Sequence, residues 1–137
     1  MSQLEIHQFP CLSDNYGVLI HDSQGQTAAI DAPDAKAVAA ALKAKGWTLT
    51  HILTTHHHHD HTGGNLELKS ATGCTIVGPR GEAAKVPGID TLVGGGDTFR
   101  FGSHEVRVLD TPGHTAGHIT YWVPSAGVAF VGDTLFA

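Results

Sequence analysis

Cysteine is nearly missing from this chain: Cys11 and Cys74 are the only two in 137 residues, with neither CxxC spacing nor the density of a disulfide framework. Their simplest state is two free thiols in a reducing compartment, which makes a cytoplasmic location the default and thiolate ligation of zinc the exception. Long apolar runs are missing too. No continuous stretch approaches the roughly 18 residues of a membrane-spanning helix, and Met1-Ser2-Gln3-Leu4-Glu5 lacks the basic start and apolar stretch of a secretory signal. Charge is sparse, at 15% of residues, and leans acidic: eight Lys and Arg against thirteen Asp and Glu leave a net charge of -5. That balance offers no basic surface to a nucleic-acid backbone, so nucleic acid and membrane drop out as expected partners, and an anionic substrate must be drawn by local groups. No internal repeat or low-complexity linker is present. With 41% hydrophobic residues the chain reads as a globular domain or part of one, long enough to bury a core.

Histidine, by contrast, is concentrated. The run His56-His57-His58-His59-Asp60-His61 follows the β-branched apolar segment His51-Ile52-Leu53-Thr54-Thr55 and opens onto Thr62-Gly63-Gly64. Four consecutive histidines have a plain alternative, an affinity tag or polar surface loop. Position argues against it, because the run is internal, leaves a predicted buried strand and ends at a tight-turn signal. Residues two apart share one side of an extended segment, so His56 and His58 point at one ion while His57 and His59 point elsewhere. Asp60 and His61 stand where the chain turns and reach a second ion. His114 sits in the Pro-Gly turn Thr111-Pro112-Gly113-His114-Thr115, and Asp133 follows Gly132 at the end of an apolar strand, placed to bridge two ions. The alternatives are a surface-turn histidine and a turn aspartate capping its neighbours.

Imidazole and carboxylate donors suit two divalent ions, zinc first, with iron or manganese admitted. Two ions about 3.5 Å apart that share a carboxylate also share a water whose pKa falls toward neutrality, and the resulting hydroxide is the expected nucleophile. The metal candidates are therefore His56, His58, Asp60, His61, His114 and Asp133, with Asp60 and Asp133 the catalytic carboxylates. The reaction class is metal-assisted hydrolysis of an activated ester, thioester, amide or lactone. Asp31 reads either as a hydrogen-bond partner of a ligating histidine or as an ordinary carboxylate leading into a helix. His118 reads as a structural or rim residue rather than a ligand, and alternation puts one of Tyr121 and Trp122 in the core.

Leu4 to Phe9 reads as a strand, and Tyr16–His21 with Thr27–Asp31 as a hairpin about Asp22–Gln26. Ala32-Pro33-Asp34 opens a helix over Ala35–Lys45 that Gly46 stops. Trp47–Thr55 returns to strand, Asn65–Ser70 is helical, and Cys74–Val77 is a short strand. Gly78–Gly96 is expected to be loop with one helical turn near Glu82–Val86, its Gly94-Gly95-Gly96 run a flexible turn rather than a phosphate loop. Phe99–Phe101, Glu105–Leu109, Ile119–Val123 and Val128–Val131 complete the strands. The fold class is α+β, two sheets with helices on their outer faces. Thr134-Leu135-Phe136-Ala137 leaves two apolar side chains exposed, as expected where natural sequence continues, and an uncovered sheet edge favours self-association.

On these residues the chain resembles the metallo-β-lactamase superfamily, whose HxHxDH motif stands as His56 to His61, and within it the glyoxalase II (hydroxyacylglutathione hydrolase) family. The finer likeness lies in Leu12-Ser13-Asp14-Asn15-Tyr16, in Thr55 to Asn65, in Thr111 to His118 and in Gly132-Asp133-Thr134-Leu135-Phe136. The resemblance implies an αββα sandwich, incomplete on its C-terminal side, over residues 1–137. It implies a first metal site of His56, His58 and His114, a second of Asp60 and His61, and Asp133 between them. The implied substrates are S-acyl glutathione thioesters such as S-lactoylglutathione, released as a hydroxy acid and glutathione. The family continues with a Gly-Cys-Gly-Arg segment, a further metal-binding histidine and a helical C-terminal domain, none present in these 137 residues, so the second site lacks one family ligand here. Other expectations remain open: a lactonase or β-lactamase of the same fold, a persulfide dioxygenase using one iron, or a noncatalytic metal-binding domain.

Overall fold

The computed structural model describes residues 4–11, 15–31, 34–55, 64–86, 88–110, 119–131 and 134–136, which form two facing sheets. The first holds β1 (Leu4–Cys11), β2 (Asn15–Asp22), β3 (Thr27–Ile30), β4 (His51–Leu53), β5 (Thr75–Pro79) and β6 (Thr91–Val93), side by side in that order. Its first three strands pair antiparallel and the rest parallel. Parallel neighbours need crossovers, which α1 (Ala35–Lys45) supplies between β3 and β4 and α2 (Asn65–Thr72) between β4 and β5. The second sheet runs β11 (Thr134–Phe136), β10 (Val128–Val131), β9 (Ile119–Val123), β8 (His104–Asp110) and β7 (Thr98–Phe101), all antiparallel.

Alternation along the strands divides the core in two. Leu19, Ala29, Ile52 and Ile76 face the helices and meet Val38, Leu42 and Leu68. Ile20, Ala28, Ile30, Leu53 and Val77 face the second sheet and meet Phe101, Val106, Val108, Tyr121 and Phe130. Alternation also separates Tyr121, fully buried, from Trp122, which is half-buried, as expected. The helix expected after Asp34 forms with the Asp34 carboxylate accepting from the Lys36 amide at 3.1 Å, and it stops at Gly46, left-handed at φ 71°.

At the end of the sandwich where β2 finishes and β8 begins, the sheets are latched by a buried carboxylate. Asp22 accepts from the Gln24 amide at 2.8 Å and the Ser103 amide at 3.0 Å, and the Nε2 of His104 lies 3.5 Å from it. Burial pushes its carboxyl up, but these two amides and His104 hold it below its ordinary value.

Five expectations need correction. The strand expected over Trp47–Thr55 is confined to His51–Leu53: the Trp47 amide caps α1 on the Leu42 carbonyl, and Thr50 turns its hydroxyl onto the Thr27 carbonyl. The strand expected over Cys74–Val77 runs from Thr75 to Pro79, and α2 continues past Ser70 to Thr72. Gly78–Gly96 is more ordered than a loop, with a 3-10 helix at Arg80–Lys85 and β6 paired to β5. Gly94-Gly95-Gly96 is pinned, its three amides donating to Asp97 Oδ2, Asp110 Oδ1 and the Val108 carbonyl. Beyond these five, Thr134–Phe136 pairs with β10 as an edge strand, while the expected exposure of the Leu135 and Phe136 side chains lies outside what is described. Both described α-helices cover the outer face of the first sheet, as the expected architecture requires, and Glu105 and Arg107 are exposed on β8.

Candidate metal centre

The edge opposite the Asp22 latch gathers the strand ends from which the chemistry-bearing segments depart. Just past the end of β3, Asp31 takes a left-handed backbone at φ 62°, a conformation that aspartate tolerates better than most side chains. The turn presents its amide to the Leu53 carbonyl at 2.9 Å and its carboxylate to Thr55. There the Oδ1 accepts from the Thr55 amide at 2.7 Å and the Oδ2 from the Thr55 hydroxyl at 2.9 Å, with both residues buried. Asp31 was expected to hold a histidine or simply to lead into a helix. Among its bonds are those to Thr55, the residue immediately before His56, while the candidate histidines lie outside the described residues.

The next residues of the same segment are gripped from the second sheet. Beyond the last β4 pair, the Thr54 amide donates to the Val77 carbonyl at 2.8 Å. The Tyr121 hydroxyl crosses the inter-sheet core and donates to the Thr54 carbonyl at 2.5 Å, and the Ile119 amide donates to the Thr55 carbonyl at 3.0 Å. Burial, reinforced by the charge of Asp31, pushes the Tyr121 phenol well above its ordinary value, so it remains a donor.

Ile119 is also the cross-strand partner of Asp110, so the two residues flanking the His114 segment, 111–118, are paired with each other, and one of them bonds to Thr55. Val131 and Thr134, which flank residues 132–133, are paired on the next strand, one step past the Phe130 and Tyr121 pair. The flanks of the His56–His61, His114 and Asp133 segments therefore share one edge. His56, His58, Asp60, His61, His114 and Asp133 themselves lie outside the described residues, as do His57, His59, His118 and Leu12-Ser13-Asp14. Among the described residues no group of three or more His, Cys, Asp or Glu could hold a metal ion. Cys74 is a buried free thiol on the helix side of the first sheet, and no described helix is long and apolar enough to cross a membrane.

Sequence reasoning missed the clasp on Thr55 and the reach of Tyr121. Alternation put an aromatic side chain in the core, but only the facing sheet reveals which carbonyl its hydroxyl meets.

Two sheets packed face to face, with parallel crossovers on one side and the flanks of the histidine- and aspartate-bearing segments along one edge, define a layered α/β sandwich. The family model described as "Metallo-beta-lactamase superfamily" matches residues 22–137, and the chain belongs to that superfamily. It is 61% identical over 136 residues to the hydroxyacylglutathione hydrolase of Brucella ovis, covering 98% of this chain and 53% of that protein; the Brucella canis protein of the same name gives 61%. The chain thus spans about half the length of the curated relatives it matches. Among solved structures, ETHE1 from Myxococcus xanthus superposes with a TM-score of 0.79 at 33% identity, over 97% of this chain and 59% of that one. The BLEG-1 B3 metallo-beta-lactamase superposes at 0.81 with 23% identity over 97% of this chain and 74% of that one, a likeness of fold.

Proposed function

We propose that this chain carries the metal-binding part of a hydroxyacylglutathione hydrolase, a glyoxalase II that hydrolyses S-acyl glutathione thioesters such as S-lactoylglutathione to lactate and glutathione. The observation that carries the reading is the 61% identity to hydroxyacylglutathione hydrolases across nearly the whole chain, together with the His56–His61, Thr111–His118 and Gly132–Phe136 motifs it includes.

The donor set fits a divalent metal. Four imidazoles and two carboxylates are borderline-to-hard ligands that zinc, iron and manganese accept, and the described thiol of Cys74 is buried in the helix-side core. His56, His58 and His114 would hold one ion, Asp60 and His61 a second, and Asp133 would bridge them. When bound, such ions supply Lewis acidity, which polarises a thioester carbonyl and acidifies water near neutral pH. The chain's own contribution is to orient the ligands. The Asp31 carboxylate fixes the start of the histidine run through the Thr55 amide and hydroxyl, while Ile119 holds the Thr55 carbonyl beside the flank of the His114 segment.

Two further readings travel with this one. A buried free thiol at Cys74 supports a reducing, cytoplasmic setting. Among the described residues β11 is an edge strand of the second sheet, and two copies could associate through it.

Metal content per chain after extensive dialysis, with S-lactoylglutathione hydrolysis assayed on the same samples, tests the proposal. Bound zinc, iron or manganese that is lost in His114→Ala and Asp133→Ala is the expected result. Metal uptake indifferent to both substitutions refutes the ligand set. Oxygen consumption with glutathione persulfide in place of thioester hydrolysis refutes the substrate class.

A further inference from the structure

Tyr121 occupies a core position that phenylalanine would fill equally well. It is fully buried, the ring of Phe99 meets it edge-on at a centroid distance of 6.1 Å, and its flanks on β9 are Thr120 and Trp122. A buried hydroxyl costs free energy unless it is bonded, so its presence here calls for a use. That use is specific. The phenol has one proton, and the Thr54 carbonyl at 2.5 Å takes it; the Val77 carbonyl, 3.3 Å away, already accepts from the Thr54 amide.

Thr54 lies two residues before His56, just past the last pair of β4, where the parallel sheet no longer supplies a partner for its carbonyl. The following carbonyl, of Thr55, is taken by the Ile119 amide. Two consecutive carbonyls at the exit of β4 are therefore both held by β9, one by side chain and one by backbone. β9 is also the strand that begins immediately after the His114 segment.

We propose that Tyr121 is a positioning residue for the metal centre: its hydroxyl, reaching between the sheets to the Thr54 carbonyl, fixes where the chain turns out toward His56 and ties that point to the strand following His114. The inference rests on the metal-binding reading of His56, His58 and His114. With two side-chain torsions and a ring locked on all sides, Tyr121 is a stiff strut. Without its hydroxyl, the Thr54 carbonyl is buried and unpaired, the exit of β4 shifts to recover a partner, and the spacing between the two ligand segments relaxes.

The test is cobalt(II) binding to the whole chain, measured by competition with a chelator and by the visible spectrum, in wild type, Tyr121→Phe and Val106→Ala. Val106 is fully buried on β8, where it pairs with Phe99 rather than with Tyr121, so its truncation lowers stability while leaving the Tyr121 hydroxyl and the Thr54 carbonyl in place. Tyr121→Phe is expected to raise the cobalt dissociation constant about tenfold and to change the band intensities, as loss of an outer support does at metal sites. Val106→Ala is expected to bind as wild type does despite its lower melting temperature. Wild-type affinity and spectrum in Tyr121→Phe overturn the inference alone. A wild-type chain that takes up no cobalt overturns the metal reading and this inference with it. Should Tyr121→Phe not fold, the wild-type chain labelled with 3-fluorotyrosine, its two signals assigned through Tyr16→Phe, gives the second readout. The Tyr121 fluorine resonance moves on zinc addition if the strut is coupled to the site, and an unmoved resonance refutes the coupling.

Discussion

Thr54→Val and Thr55→Val each exchange one buried hydroxyl for a methyl of the same shape, and the surroundings of the two hydroxyls demand opposite results. The Thr55 hydroxyl donates at 2.9 Å to the Oδ2 of Asp31, and the two residues are 0% and 3% exposed. A hydrogen bond to a buried charged group contributes about 1.5–3 kcal/mol. The methyl that replaces it returns about 0.8 kcal/mol of apolar burial. The difference, about 1–2 kcal/mol of destabilisation, lowers the melting temperature of a chain this long by roughly 3–10 °C. The Thr54 hydroxyl is equally buried but has no hydrogen-bond partner among the described residues. Its replacement removes an unsatisfied polar atom, so Thr54→Val is expected to be neutral or more stable by up to about 1 kcal/mol. Thermal and urea unfolding of the three chains in a chelating buffer keeps metal binding out of the comparison. A Thr54→Val chain as destabilised as Thr55→Val would refute the claim that the Asp31 clasp, rather than burial alone, holds this segment.

Gly102→Ala is expected to cost about 2–5 kcal/mol, because Gly102 sits at φ 60° and a Cβ there would run into the Asp22 carboxylate; a wild-type urea midpoint would sink the latch as described. Burial holds the His51 imidazole below its ordinary value, so its contribution to stability is complete above pH about 6.5 and is lost as pH falls through the depressed value. His51→Gln should flatten that part of the stability profile, and an unchanged slope between pH 6.5 and 5 would show that other groups govern it.

What was legible in the sequence followed from local chemistry. Asp34 and Gly46 bracket α1 by capping rules that need no partner, and the β2–β3 hairpin announces itself by its turn. What was not legible depends on distant strands. β6 is three residues long amid glycine and proline and exists because β5 lies beside it; β4 is shorter than its apolar run because Trp47 is drawn back to cap α1 on the Leu42 carbonyl. The same division runs through the candidate site. The ligand run is recognisable because metal chemistry dictates residue types at short spacing, whereas Asp31 and Thr55, 24 residues apart, and Tyr121, 67 residues from Thr54, meet only in three dimensions.

The chain passes from one sheet to the other a single time among the described residues, between Val93 and Thr98, through the pinned glycine run. Each sheet is thus a contiguous stretch of sequence, like two covers joined at one spine. Hairpins and crossovers within each cover close short loops, but their apposition brings together residues as remote as Tyr121 and Thr54 and waits on long-range closure. A nick in that spine would leave two pieces, each with an oily inner face and no other covalent tie, so whether they find each other again would report how much of the fold is carried by the faces alone.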